Sequence, residues 1–200
     1  GSDIDMSYAA EKFDAVMVLW YPGSQGGKAA AKILFGEKSP SGKLPVTFYE
    51  SLEELPEFTD YSMKGRTYRY MEGKAQFPFG YGLTYSNVKV ENAEVRQCGQ
   101  QITVEAEVYN EGKADTEEVV QVYVKNLDSK NAIPNPALGG FQRIFVKAGE
   151  RRKVTVPVWE KAFTVVDENG KRVEDGRKYE IFAGCSQPDE RSIELTGTAP

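Results

Sequence analysis

The segment ITVEAEVY, residues 102–109, decides the fold class of this chain. Apolar side chains occupy every second position, and threonine, glutamate and tyrosine fill the positions between them. A period of two is typical of a β-strand that buries one face and exposes the other. The stretches 120–124 and 154–158 repeat this alternation with valines, and turn-forming residues separate the three segments. The pattern therefore predicts short antiparallel strands.

Four more stretches have strand character, at residues 88–95, 140–146, 179–183 and 192–196. Seven strands separated by short turns are typical of an antiparallel sandwich of the immunoglobulin or fibronectin type III-like kind. We therefore predict a mainly β fold, with a seven-stranded sandwich domain over residues 87–200.

Residues 1–86 have a different pattern. AVMVLW at 15–20 is a continuous apolar run, typical of a strand buried on both faces of a parallel sheet. Helix formers follow at 28–35, and LPVTF at 44–48 has the composition of a second strand. The first part is thus predicted to be a partial α/β (βαβ) segment. Because two strands and one helix cannot enclose a core, we expect the chain to begin within a domain.

Composition excludes several kinds of chemistry. The chain has 200 residues, a formal net charge of −5 and no histidine. Without histidine, neither a Ser-His-Asp relay nor a histidine-ligated metal site can form within it. Cys98 and Cys185 lack the spacing of zinc or redox motifs and are expected to be free thiols. We predict no metal and no cofactor.

Charge and hydropathy also restrict the partners. The mean hydropathy is −0.51, and no apolar run approaches the roughly 20 residues that cross a bilayer. Lysine and arginine are scattered through an acidic chain, which argues against nucleic acid. We expect neither a membrane nor a nucleic acid as partner. With two cysteines, the bacterial periplasm, the extracellular space and the cytoplasm all fit.

Four long stretches carry a family resemblance. They are WYPGSQGGKAAAKILFGEKSPSGKLPVTF (20–48), GRTYRYMEGKAQFPFGYGLTYS (65–86), EVVQVYVK (118–125) and ALGGFQRIFVKAGERRKVTV (137–156). Together they resemble the C-terminal third of glycoside hydrolase family 3. The resemblance implies that residues 1–86 are the C-terminal remnant of an (α/β)6 sandwich domain, followed by a fibronectin type III-like domain.

The resemblance implies that the parent protein is an exo-acting retaining β-glycosidase of the β-xylosidase, α-arabinofuranosidase or β-glucosidase type, with oligosaccharides from plant or other polysaccharides as substrates. Retention needs two carboxyl groups about 5 Å apart. In this family both lie upstream of the matching motifs, on the barrel and earlier in the α/β sandwich. We therefore expect no catalytic residue here, an inactive and supporting role, and the missing barrel and remaining α/β domain as partners.

The stretch GRTYRY, residues 65–70, is the main candidate for substrate contact. It combines guanidinium donors with aromatic surface, and sugar hydroxyls suit both. In an extended form Arg66 and Tyr68 would share one face, with Arg69 on the other. These three residues and Trp20 are candidates for the rim of a substrate site. The alternatives are an interdomain clamp, in which the two arginines pair with acidic residues, and core packing for Trp20.

Several supporting features complete the expectations. FPFGYGLTY at 77–85 is predicted to be an aromatic plug between the two domains, and Tyr179 is a candidate tyrosine corner. The long loop 126–137 is either functional or merely mobile. An alternative function is a stand-alone β-sandwich module that binds carbohydrate or a cell surface. Unpaired apolar surface on residues 15–48 is expected to favour dimerisation.

Overall fold

The structure, a computed structural model, describes residues 4–198. Its helices are α1 Ser7–Lys12, α2 Gly26–Leu34 and α3 Thr67–Tyr70, and 3₁₀ turns occur at Leu52–Glu54 and Glu160–Phe163. Its strands are β1 Val88–Cys98, β2 Gln101–Asn110, β3 Thr116–Asn126, β4 Ala137–Val146, β5 Arg151–Val158, β6 Val165–Val166, β7 Arg172–Val173, β8 Lys178–Gly184 and β9 Ile193–Thr198. None of the helices in the described range has the length and apolar character that a bilayer crossing needs.

Two antiparallel sheets form the predicted sandwich. One sheet has the strand order β1-β2-β5 and the other β4-β3-β8-β9. All seven predicted segments lie in these two sheets. The strands β6 and β7 form a separate two-stranded ribbon, so residues 4–198 contain nine strands rather than seven. The mainly β, fibronectin type III-like character of the fold is confirmed.

The core lies between the two sheets and consists largely of valine. Val104, Val108, Val122 and Val156 have no exposed surface. Burying one such side chain contributes roughly 1.5–3 kcal/mol, and β-branched residues fit the pleated surface well. The cluster runs from Val90 to Ala183 and takes no member from the residues before β1. Residues 4–86, called the N-terminal segment below, therefore lie outside this core.

Tyr179 in β8 is the predicted tyrosine corner, and the structure confirms it. The side chain is 2% exposed, and its hydroxyl donates a hydrogen bond of 2.8 Å to the carbonyl of Phe163. The Asn126 side-chain amide donates to the same hydroxyl oxygen at 3.3 Å. Burial raises the pKa of Tyr179, so this hydroxyl remains a donor at neutral pH. The corner ties β8 to the 3₁₀ turn that precedes β6.

In the N-terminal segment the predicted helix is confirmed, but the first predicted strand is wrong. Helix α2 is followed by Gly36 with φ +74°, the left-handed conformation that glycine tolerates best. Residues 15–20 form no strand. A strand needs a neighbour to accept its backbone hydrogen bonds, and the described residues supply none to this run.

Residues 44–48 pair with the aromatic plug 77–85 instead of forming a parallel strand. Leu44 donates its amide to the Tyr81 carbonyl at 2.8 Å, and its own carbonyl accepts the Gly80 amide at 2.7 Å. An isolated antiparallel bridge joins Phe48 to Phe77. This short irregular pairing replaces the predicted βαβ unit, because the plug is the neighbour present in the described chain.

Much apolar surface of the N-terminal segment is exposed, as expected. The side chains of residues 16–19 are 37% to 44% exposed, although all four are Val, Met or Leu. Leu34 and Phe35, at the end of α2, are 68% and 84% exposed. Large exposed apolar patches often mark interaction surfaces. The apolar side chains of this segment are thus available to another structural element.

Candidate functional site

The stretch 65–70 forms a tight turn, so the predicted extended conformation is wrong. Gly65 has φ +70° and Thr67 has φ +56°, which reverses the chain on either side of Arg66. The Gly65 amide donates to the Tyr70 carbonyl at 3.1 Å, and the Met71 amide donates to the Thr67 carbonyl at 3.0 Å. These bonds close the single helical turn α3, and the expected two-faced arrangement of Arg66, Tyr68 and Arg69 does not form.

Arg66 organises the loop that precedes the turn. Its guanidinium donates to the backbone carbonyls of Glu57 at 3.0 Å, Asp60 at 2.6 Å and Ser62 at 3.2 Å. The alternative predicted for Arg66 was pairing with acidic side chains, but its hydrogen-bond partners here are carbonyls of the same segment. Because its donors are engaged in this way, Arg66 acts locally and does not clamp the sandwich.

Tyr68 is the aromatic centre of the junction between the N-terminal segment and the sandwich. It is 8% exposed, and its ring stacks on Phe79 at a centroid distance of 4.2 Å. The Tyr68 ring also packs nearly perpendicular to the ring of Tyr123 in β3, with the ring centroids 6.2 Å apart. Its hydroxyl accepts the Leu138 amide of β4 at 3.1 Å. This differs from the expected exposed rim position, since burial against the sandwich removes the ring from solvent.

Arg69 is the exposed one of the three candidate residues Arg66, Tyr68 and Arg69. Its guanidinium lies 5.8 Å from the Tyr68 ring centroid, and its Nε approaches the Tyr68 hydroxyl at 3.4 Å. Within residues 4–198 it takes part in none of the ion pairs, so the predicted carboxylate clamp is absent for Arg69 as well. The Arg69 side chain is exposed, so its guanidinium N–H groups are accessible to a ligand.

Trp20 lies at a different place, beside the bridge between residues 48 and 77. Its ring centroid is 6.2 Å from that of Phe48, which is 1% exposed. Trp20 itself has φ +51° and is half-buried. The neighbouring Tyr21 is 87% exposed. This contact agrees with the packing alternative for Trp20.

On the sandwich side, a hydrogen-bonded pair of β3 residues receives the aromatic plug. Gln121 donates its amide to the carbonyls of Gly80 at 3.0 Å and Cys185 at 2.8 Å. The Tyr123 hydroxyl donates to Gln121 Oε1 at 2.7 Å. A Cβ on Gly80, which has φ +78°, would lie 2.2 Å from the same oxygen. Only glycine permits this approach, as expected for the plug.

A buried ion pair joins the two parts of the chain. Lys43 Nζ lies 2.7 Å from Glu118 Oε1 of β3, and the side chains are 10% and 5% exposed. The ammonium also donates to the Gly82 carbonyl at 2.7 Å, and the carboxylate accepts the Val119 amide at 2.7 Å. These additional bonds partly compensate for the removal of both charges from water.

Burial shifts the pKa of two titratable groups at the junction. Burial raises the pKa of Tyr123 far above its usual range, and the nearby Tyr68 adds to this shift. Burial, assisted by the charge of Glu118, raises the pKa of the Cys185 thiol to about 12. Both groups stay protonated at neutral pH. Cys98 and Cys185 are free thiols, as predicted. Among residues 4–198 no cluster of three or more acidic, cysteine or histidine side chains is placed to hold a metal.

The sandwich residues that form this junction could not be predicted from the sequence as a group. Glu118 and Gln121 are ordinary polar residues within β3, and no local pattern distinguishes them. Asn135 also joins the junction, because its side-chain amide donates to the Tyr68 carbonyl at 2.9 Å. It lies between Pro134 and Pro136, and these flanking prolines are a signal that a sequence-based search for a fixed loop could have used.

The fold and junction show two parts: the N-terminal segment, which contains helices and an isolated β-bridge, docked on a fibronectin type III-like sandwich. Comparison with family models agrees. The glycosyl hydrolase family 3 C-terminal domain matches residues 1–85, and the fibronectin type III-like domain matches residues 118–187. The chain belongs to glycoside hydrolase family 3 and contains elements of its C-terminal region.

Among curated relatives, a xylan 1,4-beta-xylosidase of Xylanibacter ruminicola is 41% identical over 99% of this chain and 23% of its own length. An exo-alpha-(1->6)-L-arabinopyranosidase of Bifidobacterium breve is 35% identical over 94% of this chain and 27% of its own length. A solved beta-glucosidase from Listeria innocua superposes with a TM-score of 0.78 at 26% identity, covering 96% of this chain and 29% of that chain. The chain thus spans about a quarter of the length of these relatives.

Proposed function

We propose that this chain is the C-terminal part of a longer exo-acting retaining β-glycosidase. In this proposal residues 1–86 complete an α/β domain, and residues 87–200 form the sandwich that supports it. The observation that carries the proposal is the asymmetry of the N-terminal segment. This segment contributes nothing to the core cluster of the sandwich and exposes apolar surface on residues 16–19, yet a buried Lys43–Glu118 pair fastens it to the sandwich.

The substrate class proposed is an oligosaccharide ending in a β-linked xylose or a related sugar. The GRTYRY stretch resembles the β-xylosidase and α-arabinofuranosidase branch of the family. The relative named as a xylan 1,4-beta-xylosidase is 41% identical, a second relative named as a beta-xylosidase is 30% identical, and relatives named as beta-glucosidases or a putative beta-glucosidase are 30% to 33% identical. Arg69 is the residue of the turn best placed to donate to sugar hydroxyls, because Arg66 and Tyr68 are engaged within the protein.

Both catalytic carboxylates are proposed to lie in the remainder of the parent protein. Glycoside hydrolysis needs a nucleophile and a proton donor acting together. The purified chain should therefore release no aryl alcohol from aryl β-xyloside or aryl β-glucoside above the buffer rate. The longer enzyme, assayed in parallel, should hydrolyse at least one of them. Inhibitor-sensitive turnover by the chain alone would contradict the proposal, as would an inactive longer enzyme.

The exposed apolar surface is proposed to cause self-association of the isolated chain. We expect light scattering to show a dimer at micromolar concentrations, because paired copies would bury Leu34 and Phe35. Phe35→Glu should restore the monomer, whereas Leu127→Glu, a change on the sandwich, should not. A monomeric wild-type chain would refute this proposal and leave the glycosidase proposal intact.

The alternative of a stand-alone carbohydrate-binding module receives less support. The sandwich exposes Phe141 by 53% and Trp159 by 39%. Their rings are 6.1 Å apart, but they stand at 89° to each other. A sugar platform built from both residues would need nearly coplanar faces, and this perpendicular pair does not provide them.

A further inference from the structure

We propose that Asn135 is a positioning residue through which the sandwich fixes the α3 turn and so presents Arg69 to the hydroxyl groups of an oligosaccharide. This inference rests on the proposed function and adds a sandwich residue to the substrate rim. It also assigns a function to the loop 126–137, for which the sequence left two alternatives open.

Asn135 binds the turn on both sides of Arg69. Its side-chain amide donates to the carbonyl of Tyr68 at 2.9 Å and to the carbonyl of Met71 at 2.7 Å. Its backbone amide donates to the carbonyl of Arg69 at 3.2 Å. The last carbonyls of a helical turn lack partners within the turn. One loop residue supplies those partners and thereby sets the direction of the backbone that carries Arg69.

The loop presents Asn135 in a restricted conformation. Pro134 and Pro136 flank it, and a residue that precedes proline is confined to extended backbone conformations. The next strand adds a further contact, since the Leu138 amide donates to the Tyr68 hydroxyl at 3.1 Å. Because the prolines already restrict the backbone of Asn135, the loop loses little conformational freedom when it contacts the turn.

The turn itself is strained and needs such support. Thr67 has φ +56°, a left-handed conformation that a β-branched residue rarely adopts. The Tyr49 hydroxyl accepts the Thr67 amide at 3.0 Å and donates to the Gly65 carbonyl at 3.1 Å. Strained residues persist where the surroundings over-determine them, and they often occur at binding sites. Tyr49 supports the start of the turn and Asn135 supports its end.

Of the three sequence candidates in the turn, Arg69 alone is left for a ligand. Arg66 is bound to three carbonyls, and Tyr68 is buried. Arg69 is exposed, permanently charged and held by a backbone that Asn135 fixes. A preorganised guanidinium loses less freedom on binding than a mobile one, so the loop affects substrate affinity without touching substrate.

The first experiment measures amide hydrogen exchange in this chain. Asn135→Asp keeps the side-chain size but removes both donated hydrogen bonds. Asn131→Asp introduces the same charge in the same loop and is the matched control. We expect Asn135→Asp to speed exchange of the Gly65 and Met71 amides at least about tenfold, with core amides of β3 unchanged and the control like wild type. Unchanged exchange in the turn would overturn the inference. If the core amides also lose protection, Asn135→Ser replaces the variant.

The second experiment uses the longer enzyme and xylo-oligosaccharide hydrolysis. Arg69→Ala and Asn135→Asp should each raise KM about tenfold with little change in kcat. The double variant should be no worse than Arg69→Ala alone, because Asn135 acts through Arg69. A wild-type KM for Asn135→Asp, or fully additive effects, would overturn the inference. A wild-type enzyme without any glycosidase activity would instead refute the proposed function, while the exchange experiment would still decide whether Asn135 holds the turn.

Discussion

Glu118→Gln should lower the free energy of unfolding by about 3–5 kcal/mol, the cost of breaking a buried ion pair by removing one partner. The substitution removes the carboxylate partner of Lys43, whose side chain is only 10% exposed and whose other hydrogen-bond acceptor is the Gly82 carbonyl at 2.7 Å. At about 2–4 °C per kcal/mol for a chain of this size, Tm should fall by about 6–20 °C.

The chain contains a matched control for this change. Lys130 and Glu168 form a pair of the same chemistry at 2.9 Å, but the two side chains are 75% and 78% exposed. Water screens such a pair, so Glu168→Gln should change stability by no more than about 0.5 kcal/mol. The comparison separates the effect of burial from the effect of pairing.

The assay is urea unfolding followed by tryptophan fluorescence and circular dichroism, with the midpoint and the slope fitted together. A lower midpoint at constant slope indicates a loss of stability within one cooperative unit. The double change Lys43→Met with Glu118→Leu should recover most of the loss, because an apolar pair needs no compensation for buried charge. Equal effects of Glu118→Gln and Glu168→Gln would refute the reasoning.

Three further outcomes are expected. Gly80→Ala should lower the free energy of unfolding by about 2–4 kcal/mol, because its Cβ would clash with the Gln121 side chain and the backbone at this position is strained for any residue but glycine. Gly149→Ala, where a Cβ would meet open space, should cost about 1 kcal/mol. The denaturant midpoints of the two variants measure this difference. Tyr179→Phe should lower the free energy of unfolding by about 1–3 kcal/mol, as measured by calorimetry, because the partly buried Phe163 carbonyl loses its hydrogen-bond donor. At pH 8 a thiol reagent should modify exposed Cys98 quickly and half-buried Cys185 far more slowly, because burial raises the pKa of the Cys185 thiol to about 12.

The sandwich was predictable because its information is local. Alternating valines identify a half-buried strand wherever they occur, and the turns between them limit the strand lengths. The two-residue strands β6 and β7 were missed, since two residues carry no period. Helix α2 was predictable for the same reason, from helix-forming residues at 28–35 that are followed by Gly36.

The candidate site was predictable only as a set of residues. The sequence identified Arg66, Tyr68 and Arg69 as chemically suited to sugars, but it predicted an extended arrangement. The structure divides their tasks: Arg66 orders a loop, Tyr68 fills the junction, and Arg69 faces solvent. Side-chain chemistry is local, whereas exposure depends on what packs against each residue.

The strand pattern, helix α2 and the family motifs follow directly from the amino-acid sequence, because each depends on residues that are neighbours in the chain. The conformation of the α3 turn and the pairing of residues 44–48 depend instead on contacts between segments that are distant in the chain. The amide of Asn135 reaches the Tyr68 carbonyl across 67 positions of chain, and residues 15–20 stay unpaired despite their strand-like composition. Backbone N–H and C=O groups need hydrogen-bond partners, and at these places the partners come from segments that are distant in the chain.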